Sequence, residues 1–312
     1  MTRTRVLLHI GFHKAGSSWL EQWLARHPQV RFTAGTFAGL RTPMDICREA
    51  ARGDRDVRWL AMSEENWTGG LVFPEGYFYL LLRHQGFHKR PPTIREHQAR
   101  LADELVAMYP GARVLMITRG FAGALRSVYS QVVRIGGDLS FHDFLQEYEL
   151  QIAAWLNYDH VVATYRARFG AENVTVLPFE ALAAGEASFI RILEEELALD
   201  HEDMAIGRVL PSLSPALLEG YSTLSRRMLA PVARHLRNYR AMQMYLAYAG
   251  LVVDKPWANA IVGTLFGRGA DPSALTVPDE YLERFRGTAA SLAVLPRYAP
   301  YRAAYLLDDA AP

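Results

Sequence analysis

Four short, nearly unbroken apolar runs stand out in the first part of the chain: Val6 to Ile10, Val57 to Met62, Arg113 to Thr118 and Asn173 to Pro178. Runs of this length, apolar on both faces, predict buried strands. Between them the spacing changes to a helical period, notably over Thr93 to Tyr109, Phe121 to Arg134 and Phe144 to Phe169. Buried strands alternating with helices predict an α/β fold, a central parallel sheet flanked by helices, with ligands beyond the carboxyl ends of the strands. Each run is followed by polar or glycine-bearing residues: Gly11 to Lys14, Ser63 to Glu65, Arg119, and Phe179-Glu180. Trp19 and Trp23, four residues apart, read as the inner face of the first helix. From about Leu210 the strand signal fades into helices punctuated by Pro211, Pro215, Pro231, Pro256, Pro272 and Pro278, without repeats. The expected organisation is a core over 1–209 and a helical C-terminal extension over 210–312, packed on that core as one domain.

Composition narrows the function classes. Half of the 312 residues are hydrophobic, 21% are charged, and the net charge is +1. No global basic field or sequence-reading motif points to nucleic acid. Cys47 is the single cysteine, which excludes an internal disulfide and argues against a thiolate-rich metal site. His9, His13 and Lys14 interrupt the N-terminal apolar stretch, and Ala241 to Val253 is too short to span a bilayer. A cytoplasmic location is expected, with contact to a membrane surface and self-association through the C-terminal third both left open.

The richest chemistry follows the first predicted strand. Gly11-Phe12-His13-Lys14-Ala15-Gly16-Ser17-Ser18 reads as strand, glycine loop and helix start, where unpaired backbone N–H groups and the helix dipole bind phosphate. The spacing fits the nucleoside-triphosphate loop except that Ser17 stands where the lysine belongs, and the lysine sits at position 14. Only three of 34 basic residues are lysines (Lys14, Lys89 and Lys255), so this one stands against a background of arginine. Beyond the third run, in Ile117-Thr118-Arg119-Gly120-Phe121, Arg119 occupies the place where many nucleotide triphosphatases put a metal-binding aspartate. An arginine cannot hold magnesium, but it can fork two N–H bonds onto a phosphate, and Ser127 lies two helical turns onward. After the second run comes Ser63-Glu64-Glu65-Asn66-Trp67, carboxylates at the same predicted sheet edge.

These segments resemble a known family. GFHKAGSSWL and ITRGFAGALRSVYSQ are similar to the two signature segments of the sulfotransferases that use 3′-phosphoadenosine 5′-phosphosulfate, a family with a P-loop-containing α/β fold. Leu177-Pro178-Phe179-Glu180-Ala181-Leu182 is similar to a later strand of that family, and Ser63 to Gly69 resembles a segment of its bacterial branch. The resemblance implies that the loop, Gly11, Lys14, Ala15, Gly16, Ser17 and Ser18, takes the 5′-phosphosulfate, and that Arg119 and Ser127 take the 3′-phosphate. Arg208 to Ser214 stands where the animal cytosolic enzymes carry an Arg-Lys-Gly loop, with Ser212 as the candidate contact. Lys14 is then the group that neutralises the leaving phosphate, Glu65 the candidate base, and no metal is required. Glu64 and the histidines, His13 foremost because it lies in the loop, are the alternatives as base. Partial burial is expected to raise the pKa of Glu65.

The expected acceptor bears a hydroxyl, of saccharide, lipid or natural-product type. Two other readings remain at this point: a P-loop kinase using ATP, and a catalytically silent nucleotide-binding scaffold. The stretch Trp67, Phe73, Tyr77, Phe78, Tyr79 and Phe87, interleaved with Arg83, His84, Lys89 and Arg90, either lines an acceptor pocket or packs on the core.

Overall fold

In the computed structural model the described residues are 4–34, 56–68, 93–207, 213–236, 238–253, 255–266 and 275–307. Their centre is a five-stranded sheet, β1 (Arg5–His9), β2 (Val30–Ala34), β3 (Trp59–Ser63), β4 (Arg113–Thr118) and β5 (Val174–Pro178), in the order β2-β3-β1-β4-β5. Every pairing is parallel, with His9 opposite both Ser63 and Leu115 and Thr118 opposite Pro178, so the strand ends form one edge. The four apolar runs are four of these strands. They read as continuous because a parallel sheet is covered on both faces, and Val114, Leu115, Met116 and Ile117 are fully buried. β2 is additional to the expected set. Its sequence Val-Arg-Phe-Thr-Ala mixes polar and apolar residues because it is an outer strand hydrogen-bonded only to β3.

Helices fill both faces. α1 (Ser17–Arg26) buries Trp19, Leu20, Trp23 and Leu24, as the four-residue spacing of its tryptophans predicts. α2 (Ile94–Met108) starts at a capping box in which Thr93 accepts from the Glu96 N–H and Glu96 accepts from the Thr93 N–H. α3 (Phe121–Arg134) has the expected bounds. The single helix expected over Phe144 to Phe169 is three: α4 (Phe141–Glu147), α5 (Glu149–Trp155) and α6 (Tyr158–Phe169). Ser140 caps the first, and Asn157 Oδ1 accepts from the His160 N–H at the start of the third. The apolar period runs through these breaks because Phe144, Ile152, Trp155, Tyr158 and Tyr165 all enter the same core. α7 (Phe179–Ala184) and α8 (Glu186–Leu197) follow β5, parted at Gly185.

Beyond residue 213 no strand occurs among the described residues. Helices α9 (Pro215–Leu224), α10 (Ala230–His235), α11 (Asn238–Leu251) and α12 (Pro256–Leu265) lead to short helical turns over 279–305. Pro215, Pro231 and Pro256 stand in the first turns of their helices, where proline lacks a needed N–H least. The last turns return to the sheet. Tyr298 is fully buried with its hydroxyl 2.7 Å from Thr118 Oγ1, and Tyr281 donates to the Leu145 carbonyl at 2.9 Å. One continuous cluster of buried apolar residues runs from Leu7 to Leu307.

Candidate functional site

The loop between β1 and α1 is held from beneath by main-chain bonds that prolong the sheet: Ile10 N–H to Leu115 O at 3.1 Å, Phe12 N–H to Ile117 O at 2.8 Å, and Ile117 N–H to Gly11 O at 2.8 Å. Phe12 is buried against the ring of Tyr158, 4.8 Å away. Gly16 caps α1 at φ +93°, a conformation that favours glycine, and a Cβ there would lie 3.2 Å from Phe179 and Leu182. Lys14 holds φ +62°, a left-handed conformation uncommon for a residue with a side chain. The helix start has no side-chain cap and no acidic residue in its first turn, so its positive end carries no carboxylate of its own. The Ser17 hydroxyl is buried and faces the Glu65 carboxylate, which it helps to keep ionised.

Arg119, one residue past β4, reaches back to this loop: its Nη1 donates to the Lys14 carbonyl at 2.8 Å, and its guanidinium lies 4.5 Å over the Phe179 ring. The main chain around it is clamped. Tyr158 donates to the Arg119 carbonyl, Gly120 N–H donates to Glu180 Oε1 at 2.9 Å, and Tyr305 donates to Glu180 Oε2 at 2.6 Å. Gly120 is required by crowding, since a Cβ there would stand 2.6 Å from that of Ala304. Lys14 Nζ donates to Gln131 Oε1 on α3 at 3.3 Å. Burial lowers the pKa of Lys14, opposed by Glu65 and reinforced by Arg134 and Arg119. Burial likewise lowers that of Arg119, with Glu180 opposing it. Positive charge therefore gathers in this cleft at a desolvation cost.

Glu65 opens the short helical turn Glu65–Thr68 after β3, anchored where Glu64 N–H donates to the His9 carbonyl at 3.0 Å. Gln98 and Tyr165 hold the carbonyls of Thr68 and Trp67 at 2.7 and 3.0 Å. The Glu65 carboxylate lies 3.1 Å from His13 Nδ1, with His13 buried behind it. Burial alone would push Glu65 up, as the sequence suggests. The contact with His13, the Ser17 hydroxyl and the charge of Lys14 together outweigh burial and hold its pKa at about 2. Beneath the loop, His9 is fully buried with Nδ1 2.8 Å from Ser63 Oγ, and Ser63 donates to Glu21 Oε1 at 2.8 Å.

These groups surround one cleft of about 630 Å³. Lys14, Gly16, Ser17, Ser18, Glu65, Arg119 and Ser127 line it. Gly11, His13 and Ala15 stand behind its wall, Gly11 serving the sheet and Ala15 buried in the core. Ser212 lies outside the described residues, as do Phe73, Tyr77, Phe78, Tyr79, Phe87, His84 and His88; Trp67 of the same stretch is buried. The structure adds Ser130, Gln131 and Arg134 of α3 to the lining. With Ser127 they recur at the spacing of one helix face, a signal present in the sequence. Glu186, which accepts from Trp19 Nε1 and from the N–H groups of Ile206 and Gly207, closes the far side. That contact joins segments far apart in the chain and has no local sequence signal.

The arrangement can hold a polyanion: a helix N-terminus, two half-buried cations from separate elements, and a carboxylate kept ionised at the rim. No curated protein matches the chain. Among solved structures, a sulfotransferase from Alicyclobacillus acidocaldarius is similar at 18% identity and a TM-score of 0.45, over 78% of this chain and 96% of that one. A model described as the sulfotransferase family matches residues 7–203, nearly two-thirds of the chain, and the protein belongs to that family.

Proposed function

We propose that the protein transfers a sulfuryl group from 3′-phosphoadenosine 5′-phosphosulfate to an acceptor hydroxyl by in-line displacement. The observation that carries this reading is the meeting of Lys14 and Arg119 across one cleft, joined by the 2.8 Å bond between the arginine and the loop carbonyl. Two fixed cations from separate elements facing one cleft suit a nucleotide that carries more than one phosphate. The buried Ser17 hydroxyl at a helix start with no side-chain cap is a fit for phosphate oxygens.

In this reading the loop N–H groups and Ser17 and Ser18 grip the 5′-phosphosulfate, while Arg119 and Ser127 select the 3′-phosphate. The acceptor oxygen bonds to sulfur as the bond from sulfur to the bridging phosphate oxygen breaks, leaving a sulfate ester and adenosine 3′,5′-bisphosphate. Lys14 meets the charge that develops on the bridging oxygen. Glu65 takes the acceptor's proton. A carboxylate held near pKa 2 is a weak base, but it suffices late in the transfer, when the oxygen already bonded to sulfur has become strongly acidic. His13 keeps that carboxylate ionised and oriented. This chemistry runs on charges that the chain itself supplies.

Isothermal titration with adenosine 3′,5′-bisphosphate tests the donor. Tight binding that Arg119→Ala weakens by about tenfold or more is expected, since a charge-assisted bidentate contact is lost. Equal affinity for adenosine 5′-phosphate would refute it.

A further inference from the structure

The C-terminal helices carry a surface that the transfer chemistry does not use. α12, Pro-Trp-Ala-Asn-Ala-Ile-Val-Gly-Thr-Leu, contains no charged residue. Its inner side is settled: Ala258 and Val262 are buried, and Asn259 Oδ1 accepts from the Tyr221 hydroxyl of α9 at 2.6 Å. The outer side is Trp257, Ile261 and Leu265, spaced four apart on one stripe and exposed by 58%, 48% and 67%. An outward helix face would ordinarily be polar; this one is apolar along its whole length. Leu251, 69% exposed, ends the preceding helix. Lys255 sits exposed at the N-terminal end of the stripe. Between Ser225 and Arg268 the sequence carries seven arginines and lysines against the single acidic Asp254, in a chain whose net charge is +1.

We infer that this helix docks on an anionic lipid surface, lying in the plane of the interface. Charge decides the occupant. A second copy meeting this face about a two-fold axis would bring the basic segment against itself, whereas acidic headgroups complement it. An apolar stripe with an exposed tryptophan and Lys255 at one end, in a segment whose sequence is basic, suits the boundary between headgroups and acyl chains. No helix among the described residues is long and apolar enough to cross a membrane, so the contact is peripheral.

Flotation of the full chain with vesicles tests this independently of the donor. Binding is expected to phosphatidylcholine vesicles containing phosphatidylglycerol and much less to phosphatidylcholine alone, weakening as salt rises. Lys255→Gln should lower the affinity about fivefold. Trp257→Glu with Ile261→Glu should lower it by more than about tenfold while titration with adenosine 3′,5′-bisphosphate and the circular dichroism spectrum stay unchanged. Absence of flotation, or equal binding to both vesicles, would overturn the inference. So would a dimer in analytical ultracentrifugation that the double variant dissociates.

Discussion

His9 makes the stability of the strand end beneath the β1–α1 loop depend on pH in a calculable way. Its imidazole is fully buried at the end of β1, and burial lowers its pKa from 6.5 to about 4, outweighing Glu65 and a bond to the Gly11 backbone. The folded-state value lies below the unfolded one, so between these two values the unfolded chain binds the additional proton. The contribution is therefore complete above about pH 6.5 and is lost as the pH falls toward 4. A separation of that size is worth about 3 kcal/mol in full, and about 2 kcal/mol between pH 7.5 and pH 5. Replacing His9 by Gln keeps a donor for Ser63 and removes the titration. Urea unfolding at the two pH values should show the parent losing about 2 kcal/mol more than His9→Gln, or about 3 °C in thermal midpoint for a chain of this size. His27 is also depressed by burial and acts with the same sign, but it is present in both proteins and cancels. Parallel pH slopes for parent and variant would refute the reasoning.

Three further outcomes follow from the cleft. Removing His13 with alanine takes away the strongest influence that lowers Glu65, so burial raises the carboxylate; an acid limb absent from the parent should enter the pH profile of kcat/KM above pH 4. Lys14→Ala should reduce kcat at saturating donor by about 10²-fold, as measured by release of adenosine 3′,5′-bisphosphate. Gly120→Ala forces a methyl group to within 2.6 Å of Ala304, and calorimetry should register a loss of about 1–3 kcal/mol.

How much of this was legible in the chain depended on how local its cause was. β1, β3, β4 and β5 announce themselves because a strand covered on both faces admits little besides apolar residues. β2 does not, because an outer strand tolerates Arg31 and Thr33 among its apolar positions. The merged helix over Phe144 to Phe169 has a similar origin: the breaks near Tyr148 and Leu156 involve neither proline nor glycine, and the inward spacing continues across them. Glu65 illustrates the limit for chemistry. Its position after a buried strand was readable, and desolvation is the correct first expectation. The reversal comes from His13, more than fifty residues earlier, folding against it at 3.1 Å.

The same logic explains why the last segment, which carries no motif, matters to the site. Arg119 needs its main chain fixed if its guanidinium is to meet the loop carbonyl, and fixing it places the Glu180 carboxylate against the Gly120 N–H. That carboxylate is satisfied by Tyr305, which also accepts from Thr118, whose hydroxyl meets Tyr298. A chain of hydrogen bonds thus runs from the C-terminal turns to the end of β4, and the family-matched region ends at residue 203, well before its tyrosines. Burial depresses both Lys14 and Arg119, so holding the two charges in the cleft opposes stability. On the proposed function a bound polyanion would reverse the sign of that term, and the clamp from Tyr298 and Tyr305 fixes the main chain that carries Arg119.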